Sequence, residues 1–122
     1  MTIAGRLTMR SCVTILATLL VTLSVAPAWS ADGIETMQYD CERGARVTAT
    51  YINTDGASYA VVAVEGQQIG MVISPSGSGA KYAQAPDGSG YVWWTKGDEA
   101  FLAWEDIPNG ADDMLLTDCV AR

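Results

Sequence analysis

Histidine is absent from the 122 residues, so the commonest general base and metal ligand is missing. Basic residues are scarce, seven against fourteen acidic ones, for a formal net charge of −7. That sign argues against nucleic acid, whose phosphates select basic surfaces. Phenylalanine occurs once, against four tryptophans and five tyrosines. Their apolar bodies and polar tips suit half-buried positions. The one extended apolar run, residues 12–25, stops short of the roughly 20 residues that a membrane-spanning helix needs. What remains is a single small domain with 49 % hydrophobic residues, in the globular range.

The first thirty residues differ in composition from the rest. Arg6 and Arg10 are the only charges before Asp32, the apolar run follows them, and Ala26, Pro27, Ala28, Trp29 and Ser30 come next. A positive start, an apolar stretch and a small-residue site are the parts of a signal peptide, with small residues placed for a cut after Ser30, the favoured site, or after Ala28. A lipoprotein signal would carry a cysteine just after the apolar run, whereas Cys12 stands at its start. The expected product is residues 31–122, exported, with no stable membrane anchor. Arg6 and Arg10 leave with the leader, so five basic residues face fourteen acidic ones, a net −9. Such a charge keeps a domain soluble and speeds its encounter with basic partners.

Two cysteines stay in that product, Cys41 and Cys119. An exported domain with an even pair reads as disulfide-bonded. The bond would tie the first strand to the last, and chain entropy assigns roughly 4.5 kcal/mol to so long a loop. Two thiols without histidine do not complete a tetrahedral metal site, and no metal or cofactor is expected.

After residue 31 the hydrophobic pattern has period two. Strands are expected at 37–41, 46–51, 59–64, 67–74, 80–85, 91–95, 99–104 and 114–120, with turn-forming residues between them. Gly70 inside the fourth run is expected to mark a bulge or bend. Short connections imply antiparallel neighbours. Eight strands in about ninety residues point to a small barrel or sandwich, with an interior filled by side chains and no ligand cavity.

Candidates for catalysis are few. Without histidine no Ser/His/Asp set exists, and the acidic neighbours Asp98-Glu99, Glu105-Asp106 and Asp112-Asp113 do not converge, since adjacent strand residues face opposite ways. The chain reads as a non-enzyme. Its distinctive segments are Ser78-Gly79-Ala80-Lys81-Tyr82 and Tyr91-Val92-Trp93-Trp94-Thr95-Lys96-Gly97. They resemble the S-G-x-x-Y and Y-x-x-x-T-K-G motifs of the c-type lysozyme inhibitor family, which has a membrane-bound lipoprotein form and a periplasmic form. Tyr39-Asp40-Cys41, Lys96-Gly97-Asp98-Glu99-Ala100 and the late Cys119 extend the resemblance over nearly all of the expected product.

The resemblance implies an all-β fold, a small eight-stranded antiparallel barrel with one disulfide. It also implies a periplasmic protein whose partner is c-type lysozyme. Ser78 and Lys96 would meet the two catalytic carboxyl groups that flank the scissile bond in a retaining glycosidase. Lysine brings a compact cation on a flexible stem, and a serine hydroxyl serves either protonation state. Gly79, Thr95 and Gly97 would shape the loops, with Tyr82 and Tyr91 as packing aromatics that position them. Of the adjacent Trp93 and Trp94, one is expected inside and one outside. The rival reading is an exported glycan- or peptidoglycan-binding module that uses an outward tryptophan.

Overall fold

Alternating small, β-branched and aromatic residues produce eight strands in the computed structural model, which describes residues 33–122. The expected leader, residues 1–30, lies outside the described residues. In order the strands are β1 (Gly33–Asp40), β2 (Arg46–Asn53), β3 (Ser58–Val64), β4 (Gln67–Ser74), β5 (Ala80–Ala83), β6 (Ser89–Lys96), β7 (Glu99–Asp106) and β8 (Ala111–Ala121). Each pairs antiparallel with the next, and β8 returns to β1 to close a barrel. Closure shortens the open sheet edge, which remains along the first part of β1.

One strand face fills the interior. Tyr39, Val47, Ala49, Tyr51, Ala60, Val62, Ile69, Met71, Tyr82, Trp93, Leu102, Leu116 and Cys119 form one buried cluster. Trp93, fully buried, lies edge-on to Tyr39 at 5.1 Å between ring centroids. Alanines at 49 and 60 leave room for these rings. Three polar tips enter the core together. The Trp93 indole N–H donates to the Tyr51 hydroxyl at 2.8 Å, and the Tyr51 and Tyr39 hydroxyls are 2.7 Å apart. Tyr39 donates onward to the Met37 sulfur at 3.7 Å, so Tyr51 is the donor to Tyr39. Burial pushes the phenols of Tyr51, Tyr39 and Tyr82 above their usual range, so all three stay neutral.

The seam between β1 and β8 is short. Only Tyr39–Ala121 and Asp40–Val120 are paired there. The Arg122 N–H extends the seam by one bond to the Gln38 carbonyl at 3.1 Å, and its guanidinium reaches the Gln38 side chain. The Cys41–Cys119 disulfide joins the same two ends. Beside it, a single 3₁₀ turn at Glu42–Gly44 carries the Glu42 carboxylate to the Thr117 N–H at 3.2 Å. Those hydrogen bonds from Thr117 hold the Glu42 carboxyl below its usual range.

Several expectations require correction. Gly70 marks no bulge: β3 and β4 stay in register through Val61–Gly70, and the outward position simply lacks a side chain. The bulges are in β8, which uses two more residues than β7 between the Ala100–Cys119 and Ala103–Met114 pairs. Asp118, within that stretch, has a φ of 53°. β8 also begins at Ala111, because a turn at residues 107–110 suffices where a longer loop was expected. β5 ends at Ala83, since the chain turns at residues 84–88 through the Gly88 N–H to the Ala85 carbonyl. The interior is packed through its middle, yet a cleft of about 310 Å³ opens at one mouth, between Arg43, Val64, Tyr91 and Leu115.

Two outcomes test this account. Reducing the disulfide should cost about 2–5 kcal/mol, read as a lower urea midpoint with and without reductant. Tyr51→Phe leaves the Trp93 N–H and the Tyr39 hydroxyl without their partner. It should cost about 1–3 kcal/mol in the same denaturation experiment.

Candidate functional site

β4, β6 and the turns that follow them deliver the two sequence motifs to one end of the barrel. Residues 75–79 join β4 to β5, and residues 97–98 join β6 to β7. β5 pairs with β6 through Ala80–Thr95, so the residues just before β5 lie beside the end of β6. The contact is intimate at Gly79. Its φ is +66°, and an added Cβ would stand 2.2 Å from the Thr95 carbonyl oxygen and 3.4 Å from the Lys96 Cβ. Gly79 therefore answers two demands at once, a left-handed backbone and a close approach. Gly97 answers only the first, with a φ of +59° and open space around it. Positive φ at the first of two turn residues suits a two-residue hairpin with glycine first.

The Ser78 carbonyl is held from two sides, by the Trp94 indole N–H at 2.9 Å and the Ser76 hydroxyl at 3.2 Å. The Ser76 hydroxyl also reaches the Gly79 carbonyl at 3.1 Å. Thr95 adds a weaker tie, its hydroxyl to the Ala80 carbonyl at 3.4 Å. The loop is thus fastened by its backbone, and Ser78 stays exposed.

The two lysines of the region have different fates. Lys81 Nζ is 2.8 Å from the Glu105 carboxylate, both side chains are more than four-fifths covered, and the ammonium lies 5.4 Å from the Trp94 ring centroid. Lys81 is committed to the barrel wall. Lys96 is exposed and, among the described residues, has no ion-pair partner. An unpaired ammonium on so acidic a domain is available to an external carboxylate.

Ser78 and Lys96 line one groove of about 380 Å³, together with Trp94, Glu99, Phe101, Met114 and Asp118. Among the other residues named by the motifs, Tyr82 is buried in the core and supports the loop from inside. Tyr91 is not brought to Ser78 and Lys96. It packs edge-on against Trp104 at 5.1 Å and lines the cleft at the opposite mouth. As expected for adjacent strand residues, Trp93 is inside and Trp94 outside. The β8 wall of the groove had no motif to announce it. Period two located its neighbours Trp94 and Phe101 on the outward face, but the bulge that sets Asp118 beside them follows from the register of β8 on β7.

Residues 39–108, more than half of the chain, match the family described as membrane-bound lysozyme-inhibitor of c-type lysozyme. The chain belongs to that family. A family member from Pseudomonas aeruginosa, named membrane-bound lysozyme inhibitor of C-type lysozyme, is 44% identical over 68 residues, 54% of this chain and 50% of its own. A namesake from Cupriavidus necator is 35% identical over 69 residues, 57% of this chain and 52% of its own. The chain spans about half the length of the curated relatives it matches. Among solved structures, the periplasmic lysozyme inhibitor of C-type lysozyme from Salmonella typhimurium superposes with a TM-score of 0.60 at 26% identity, covering 74% of this chain and 99% of the other. Pseudomonas aeruginosa MliC, solved in complex with hen egg white lysozyme, gives a TM-score of 0.52 at 35% identity over 75% and 87% of the two chains. This chain's closed barrel agrees with the expected all-β fold.

The two glycines should separate on substitution. Gly97→Ala strains only the backbone, for about 1–2 kcal/mol. Gly79→Ala adds a collision with a strand carbonyl and should cost distinctly more, with faster amide exchange across the β5–β6 pairs. Urea denaturation and hydrogen exchange of the two variants check this.

Proposed function

We propose that this chain is a protein inhibitor of c-type lysozyme, not an enzyme, and that it occludes the lysozyme cleft with the β4–β5 loop and the β6–β7 turn. One observation carries the reading. The two motifs meet at one barrel end, where Gly79 lies against Thr95, and Ser78 and Lys96, both exposed, line one groove. A retaining glycosidase cleft holds two carboxyl groups flanking the scissile bond. Lys96 enters as the cation that pairs with the ionised carboxylate, and the Ser78 hydroxyl meets the other carboxyl in either protonation state. Gly79, Thr95 and Gly97 shape the two turns, and Tyr82 supports them from the core. The relatives named for inhibition of C-type lysozyme, and the relative solved with hen egg white lysozyme, support the same partner.

Residues 1–30 serve as a signal peptide in this reading, and the product works in the periplasm. There its net charge of −9 draws it to a basic enzyme before contact and raises the association rate. An inhibitor interface of this kind buries roughly 1,600 Å² in total.

The test is a lysis assay. Oxidised residues 31–122 are titrated against hen egg white lysozyme acting on a cell-wall suspension, and a stoichiometric loss of clearing is expected. Lys96→Ala should weaken inhibition by about 2–5 kcal/mol, the usual consequence of truncating one partner of a buried charge pair. Its thermal midpoint should barely move, because the residue is exposed at a strand end. Inhibition unchanged by Lys96→Ala would remove Lys96 from the site. Full clearing at large excess of the folded wild type would favour the glycan-binding module instead.

A further inference from the structure

The groove beside Ser78 and Lys96 extends across β7 to β8, well beyond the two motifs. One wall, on β6, carries Lys96 and Trp94. Ala100 and Phe101 of β7 lie between the walls, and Met114, Thr117 and Asp118 of β8 form the other. β6 and β8 are two strand spacings apart, roughly 10 Å, with the outward Phe101 ring of β7 on the floor between them. The Trp94 and Phe101 rings sit side by side at 5.6 Å with a 39° tilt, and Met114 is 52% exposed at the far edge. Asp118 and Glu99 also line the groove, and among the described residues neither has an ion-pair partner.

We propose that this groove receives a basic side chain, of arginine type, from the same lysozyme molecule that engages Ser78 and Lys96. The inference rests on the inhibitory reading and adds a third contact element, β8, to the two loops. Continuity argues for that occupant: Ser78 and Lys96 are themselves groove residues, so a protein seated on them covers the remainder. The chemistry argues for the side-chain type. A guanidinium is planar, weakly hydrated and stacks on aromatic faces, and its methylene stem packs against a thioether such as Met114. Its charge then meets Asp118, on the wall opposite Lys96. The site alternates in sign, with a cation presented to the partner's carboxylate from β6 and carboxylates presented to the partner's cation from β7 and β8. Such alternation fixes the register of docking as well as adding attraction.

Binding to immobilised hen egg white lysozyme at low and high salt tests the proposal, using wild type, Lys96→Ala, Asp118→Asn and Met114→Ala. Asparagine keeps the shape of Asp118 and tolerates its positive φ. Asp118→Asn is expected to weaken binding about three- to tenfold at low salt, mainly through slower association, with the difference shrinking at high salt. Met114→Ala is expected to dissociate faster with little dependence on salt. Should Asp118→Asn lower the thermal midpoint, Glu99→Gln on the regular part of β7 carries the same test. Lys96→Ala weakened while the groove variants match wild type in rate, affinity and salt dependence would overturn the groove contact alone. Wild type that binds no lysozyme would overturn both readings.

Discussion

Two residue pairs join β1 to β8, and the Cys41–Cys119 bond beside them makes that short seam permanent. Everything else in the barrel depends on this closure. A sheet of eight strands has an inside only when its first and last strands meet. The buried rings of Tyr39, Tyr51 and Trp93 require walls all round them. β1 ends at Asp40 and the chain turns at Glu42–Gly44, so the disulfide takes over where the ladder stops. On its other side β8 is bulged against β7, with Asp118 in the left-handed region just before Cys119. Glu42 then takes up the Thr117 N–H that the bulge leaves outside the ladder.

Inside, the choice of tyrosine and tryptophan over phenylalanine has a structural counterpart. The Trp93, Tyr51 and Tyr39 tips consume one another's hydrogen-bonding capacity across β6, β2 and β1, ending on the Met37 sulfur. No buried side-chain polar atom among the described residues is left unpaired. A satisfied polar chain within an apolar core discriminates against strand slippage, because a one-residue shift would turn every ring outward. The same register carries Tyr82 and Trp93 inward as a cross-strand pair and sends Lys81 and Trp94 outward as the next.

The outward pair explains how a loop made of serines and glycines is held in shape. Trp94 is clasped between the Lys81 ammonium and the Ser78 carbonyl, and Lys81 is anchored in turn by Glu105. Lys81 is built into the wall, whereas Lys96, exposed beyond it, has no ion-pair partner among the described residues. Two residues that look alike in the primary sequence are thus separated by their surroundings.

The one-dimensional pattern already contains the strand count, the antiparallel order, the cysteine pairing and the two motifs, because each depends on period two, turn chemistry or a single possible partner. It also places Trp93 inside and Trp94 outside, since neighbouring strand residues face opposite ways. Other features depend on how distant strands register. The bulges of β8, the opposite mouth where Tyr91 lies, the pairing of Lys81 with Glu105 and the groove wall at Asp118 have no local signature. Gly70 shows the limit from the other side: a glycine within a strand invites a bulge, and the intact β3–β4 ladder refuses it. Sequence alone determined how many strands there are, their order and which loops carry the motifs, through local stereochemistry. Only tertiary structure decided which side chains share a surface, because that is set by register and closure between strands far apart in the chain.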